Sequence, residues 1–86
     1  MRLDRFLKVS RIIKRRTMAK EVCDNGRVSV NGRAAKPGAE IKVGDLLELD
    51  FGSKRIKIEV LGTPNTVRVD QAKDMYRTIE ETKVLN

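Results

Sequence analysis

The stretch RLDRFLKVSRIIKRRTMAKEVCDNGRVSVNG, residues 2 to 32, changes its apolar period from 3.6 to 2 partway along, and that change decides the fold class. Leu3, Phe6, Leu7 and Ser10 share one side of a helical wheel, while Asp4, Lys8 and Arg11 project from the other. Ile12 leaves the stripe, so the spacing predicts a short amphipathic helix ending near Arg11, with Ile12 and Ile13 anchoring the connection that follows. A second helix is expected from Thr17, a good N-cap, with Met18, Ala19, Val22 and Cys23 as its apolar face and Asn25-Gly26 closing it. Past Arg27, Val28 and Val30 alternate with Ser29, which is strand spacing. Asn31-Gly32 then supplies the two positive-φ positions of a tight hairpin.

Further out, Leu47, Leu49 and Phe51 alternate with Glu48 and Asp50, Gly52-Ser53 turns the chain, and Ile56, Ile58 and Val60 alternate with Arg55, Lys57 and Glu59. This predicts a second hairpin with one apolar face. The expected fold class is α+β, with two short N-terminal helices packed on a small, mostly antiparallel sheet over residues 1–60. Residues 61–86 read as a linker and a C-terminal amphipathic helix. Gly62-Thr63-Pro64-Asn65 punctuates the chain, and Ala72, Met75, Tyr76 and Ile79 recur at helical spacing behind Asp70 as cap. Met75, Tyr76 and Ile79 would complete the core or receive a partner.

The chain has 86 residues and a net charge of +7, unevenly spread. Residues 1 to 36 carry eleven Lys and Arg against three acids, a net +8, and the remainder carries −1. Such segregation is expected where one face meets a polyanion. Charges interrupt every apolar stretch, so the sequence contains neither the roughly 20 apolar residues of a membrane span nor the apolar core of a secretory signal. A cytoplasmic location and no membrane partner are the expectation. A single cysteine excludes an internal disulfide, and no histidine is present, so imidazole catalysis and His-containing zinc sites cannot be built. No enzymatic activity, metal or cofactor is expected, and Cys23 reads as a small buried hydrophobe.

The chemistry lies in the cations. Lys14, Arg15 and Arg16 lead directly into the second helix, whose N-terminal N–H groups carry partial positive charge, a junction suited to phosphate. Arg2, Arg5, Lys8 and Arg11 supply the neighbouring helix, Lys20 extends the surface one turn on, and Arg33 and Lys36 add the hairpin. Asp4 and Thr17 are the orienting residues, Asp4 by holding an arginine of the second helix. Aromatic residues make up only 3% of the chain, which argues against stacking of splayed single strands and for shape and phosphate readout of folded RNA.

Arg2-Leu3-Asp4-Arg5-Phe6-Leu7, Ser10-Arg11, Arg16-Thr17-Met18-Ala19 and Gly26-Arg27-Val28-Ser29-Val30-Asn31-Gly32, followed by Lys36 and Gly44-Asp45, resemble the S4-type RNA-binding domain. The likeness covers about the first 60 residues. The length, the early start of the motif and the tail resemble most the stand-alone members of RqcP (YabO) type, which serve bacterial ribosome quality control and are related to the small heat-shock S4 proteins. The resemblance implies binding to large ribosomal subunits obstructed by peptidyl-tRNA, contacts to rRNA and tRNA, and support of an RqcH-like factor that adds alanine tails to stalled chains. It places RNA contacts at Arg2, Arg11, Arg16 and the neighbouring Lys14, Arg15 and Lys20, with the protein a monomer when free. The competing expectations are a constitutive large-subunit or assembly protein and a DNA- or small-RNA-binding regulator, since phosphate electrostatics alone do not separate these ligands.

Overall fold

A computed structural model describes residues 1–63 and 72–83. Two helices, α1 (Leu3–Val9) and α2 (Arg16–Asp24), precede five strands: β1 (Val28–Val30), β2 (Arg33–Ala34), β3 (Leu46–Asp50), β4 (Lys54–Val60) and β5 (Tyr76–Lys83). The strands form one antiparallel sheet in the order β2-β1-β3-β4-β5.

The apolar stripe of α1 is buried as its period requires, with Leu3, Phe6 and Leu7 fully enclosed. No side chain caps this helix at its start. The loop before β3 does so instead: the Leu3 N–H donates to the Ala39 carbonyl at 2.8 Å and the Asp4 N–H to that of Pro37 at 3.0 Å. α1 stops at Val9, two residues earlier than the spacing predicts, because Arg11 adopts φ 63 and turns the chain. Ile13 is then buried and anchors the connection.

α2 begins at Arg16, not at a Thr17 cap. Arg15 is the extended residue whose carbonyl accepts the Ala19 N–H at 3.0 Å, so Thr17 already lies inside the first turn, where its hydroxyl cannot act as a cap. Ala19 and Cys23 face the core, but Met18 is 53% exposed, so the buried stripe is narrower than expected. Burial, aided by Asp4 and Asp24, pushes the Cys23 thiol up from 9.0 to about 11, and it stays a neutral packing group at physiological pH.

The first hairpin turns on Asn31 (φ 52) and Gly32 (φ 86), the pair of positive angles its two-residue loop demands. Asn31 also reaches across the sheet. Its side-chain oxygen accepts the Leu46 N–H at 2.9 Å and its amide donates to Asp45 at 3.1 Å, which pins the turn to the start of β3. In the second hairpin Leu47, Leu49, Ile58 and Val60 point to the helices and join Val28, Ile41 and Met75 in one core.

The expected C-terminal helix is replaced by a strand. Only Ala72–Met75 are helical, as a single 3-10 turn, after which β5 pairs with β4 from Val60↔Tyr76 to Lys54↔Lys83, with an irregularity at Lys57/Ile58. The physical reason is nonlocal. β4 would otherwise present a long unpaired edge, and Thr78, Ile79 and Thr82 are β-branched residues that fit a pleated surface. Met75 is fully buried, Tyr76 partly exposed and Ile79 43% exposed. The expected cap Asp70 and the turn at Pro64-Asn65 lie outside the described residues.

Candidate nucleic-acid interface

α1 and α2 pack against each other and bring two motif segments together. Asp4 is the hinge between them. Its side chain lies off the apolar stripe and was expected outward, yet it is only 3% exposed. A buried carboxylate needs partners, and it has three. Asp4 Oδ1 accepts the Arg5 backbone N–H at 2.8 Å and faces Arg2 Nε at 3.3 Å, while Oδ2 faces Arg16 Nε at 3.5 Å. Both arginine side chains remain about half exposed, and each guanidinium has five N–H donors, more than Asp4 engages, so donors are left for an outside anion. One carboxylate thus holds two cations from different elements in a common orientation.

The other predicted cations are exposed: Arg5 and Lys8 on α1, Arg11 after it, Lys14 and Arg15 before α2, Lys20 on α2, Arg33 on β2 and Lys36 beyond it. Among the described residues none of these eight makes an ion pair. The cations of β4 and β5 behave differently. Lys54 pairs with Glu81 at 3.6 Å, Arg55 with Asp50 at 3.7 Å, Lys57 with Glu48 at 3.7 Å and Arg77 with Glu59 at 2.5 Å. The uneven charge of the sequence is therefore sharper in three dimensions, because the helical part carries uncompensated cations and the sheet's charges are largely neutralised.

Arg11 stands apart from the Asp4 cluster. Its left-handed backbone, a conformation glycine usually supplies after a helix, costs a residue with a side chain roughly 1–2 kcal/mol. Its side chain borders a groove with Phe51, Lys54 and Tyr76, residues from the other end of the chain. From the sequence Phe51 reads only as part of the apolar face of the second hairpin, and Lys54 carries no signal. Only the pairing of β3, β4 and β5 brings them beside Arg11, and no local pattern signals it. Thr17 is exposed within the first turn of α2, and because Arg15 makes no side-chain cap bond, the N–H groups of that turn lack a side-chain cap. No helix among the described residues is long and apolar enough to cross a membrane.

Known proteins match the chain over most of its length. The S4 domain family matches residues 1–47. The RQC P-site tRNA stabilizing factor of Halalkalibacterium halodurans is 50% identical over 84 residues, covering 98% of this chain and 96% of that protein. The protein of the same name from Bacillus subtilis is 49% identical, covering 98% of each chain. Among solved structures, the trimeric structure of Vibrio cholerae Heat Shock Protein 15 is similar with a TM-score of 0.80 at 28% identity, covering 91% of this chain and 80% of that one.

Proposed function

The chain belongs to the S4 domain family, within the group of RQC P-site tRNA stabilizing factors, and from that membership we propose that it binds large ribosomal subunits obstructed by peptidyl-tRNA. The uncompensated cations around the Asp4-ordered pair of Arg2 and Arg16 are the observation that carries this reading. Phosphates of rRNA and tRNA supply the complementary charge. Arg2 and Arg16 present oriented guanidinium donors, Lys14, Arg15 and Lys20 surround the first turn of α2, and Arg5, Lys8, Arg33 and Lys36 widen the field.

In this mechanism the protein makes and breaks no bond. It holds the tRNA in place electrostatically while an RqcH-like factor extends the stalled chain with alanine, and it acts in the cytoplasm as a monomer when free. Contacts of this kind fix position and carry little sequence information, which suits a ligand recognised by shape. The test is alanine tailing in cells lacking the protein. Tails on stalled chains should disappear, return with the wild-type protein and fail to return with Arg16→Ala. Undiminished tails in the deleted strain would contradict the reading.

A further inference from the structure

Ile56 and Thr78 lie on the helix-facing side of the sheet, because cross-strand partners share a face and these two pair with buried Leu49 and Ile58. Neither is sealed by the helices: Ile56 is partly exposed and Thr78 is exposed. They floor a groove of about 320 Å³ walled by Ile12, Phe51 and Tyr76. Phe51 and Tyr76 are two of the three aromatic residues in the chain, and the third, Phe6, is wholly buried. The charges of the groove are Arg11, Lys54 and Glu81, with Lys54 Nζ 3.6 Å from Glu81 and 5.9 Å from the centre of the Phe51 ring.

Aromatic side chains flanked by cations form the combination that receives unpaired bases. Two cations against one carboxylate leave a net charge of +1, which suits a single phosphate rather than a run of them. The volume sits at the lower end of the roughly 300–1,000 Å³ of small-ligand sites, which favours one nucleotide over an extended segment. We propose that this groove takes one unpaired nucleotide of the bound RNA, its base against the Phe51 and Tyr76 rings and its phosphate on Arg11. The inference rests on the RNA-binding reading above and adds to phosphate readout a contact with a base.

The chain holds one tyrosine and no tryptophan, so Tyr76 fluorescence reports on the groove alone. A blunt RNA duplex and the same duplex with a short unpaired extension would be titrated at one salt concentration against the wild type, Tyr76→Leu, Phe51→Leu and Arg16→Ala. The wild type should prefer the extended RNA by about tenfold, the effect of one base–aromatic stack, and only that RNA should quench Tyr76. Tyr76→Leu and Phe51→Leu should keep duplex affinity and lose the preference, whereas Arg16→Ala should weaken both RNAs alike and keep it. Duplex binding by the wild type with no preference and no quenching would overturn the groove alone. Absence of binding to either RNA would overturn the proposed function together with it.

Discussion

Replacing Asp4 by Asn keeps the side chain's shape and removes the charge that Arg2 and Arg16 share. Both arginines are half exposed, so each pair contributes at most about 1 kcal/mol, and urea denaturation of Asp4→Asn should show a loss of about 1–2 kcal/mol. Affinity for RNA should fall as well, but through orientation, not through charge lost to the phosphate. The salt dependence separates the two effects. Arg16→Ala should lower the slope of log affinity against log salt by about 1, and Asp4→Asn should leave that slope unchanged. A lowered slope in Asp4→Asn would mean that the two arginines leave the phosphates once their partner is gone. The place of Asp4 illustrates what a single sequence hides. Helical periodicity sets it at the border of the Leu3, Phe6 and Leu7 stripe, and Arg16, arriving from another helix, joins Arg2 and the Arg5 N–H in making burial of its carboxylate tolerable.

At the scale of elements, β5 completes the sheet on which both helices rest, and Met75 just before it is fully enclosed. Met75→Ala should therefore cost about 2–5 kcal/mol, read as a lower urea midpoint at constant slope. A loss below about 0.5 kcal/mol, in the range of surface substitutions, would show that the segment is dispensable to the core. The two helices and two hairpins were legible because each rests on a local signal: an apolar stripe, Gly26 after α2, Asn31-Gly32, and alternation in β3 and β4. β5 was not legible. Ala72, Met75, Tyr76 and Ile79 match a helical period, and the deciding influence is the open edge of β4, more than ten residues away in sequence. The start of α2 differs by less: Thr17 is the best capping residue nearby, yet Arg15, two residues earlier, occupies the cap position.

Over the whole molecule, the fold works as a charge separator. The sheet pairs Lys54, Arg55, Lys57 and Arg77 with acids, whereas on the helical side Arg2 and Arg16 share Asp4 and Arg5, Lys8, Lys14, Arg15 and Lys20 have no ion-pair partner among the described residues. The imbalance was visible in the first 36 residues, whereas the neutralisation of the rest required the strand register, since Lys57 meets Glu48 and Lys54 meets Glu81 only through cross-strand pairing. A surface of this kind binds folded nucleic acid with strong salt dependence, so the biological ligand is decided by where the charged face is presented. The most direct measurement is sucrose-gradient sedimentation of the tagged protein, followed by assay of the bound large subunits for peptidyl-tRNA. Enrichment on tRNA-obstructed large subunits is expected for the wild type and its loss for Arg16→Ala. Equal occupancy of all large subunits, or retention of Arg16→Ala at the wild-type level, would contradict the proposed function.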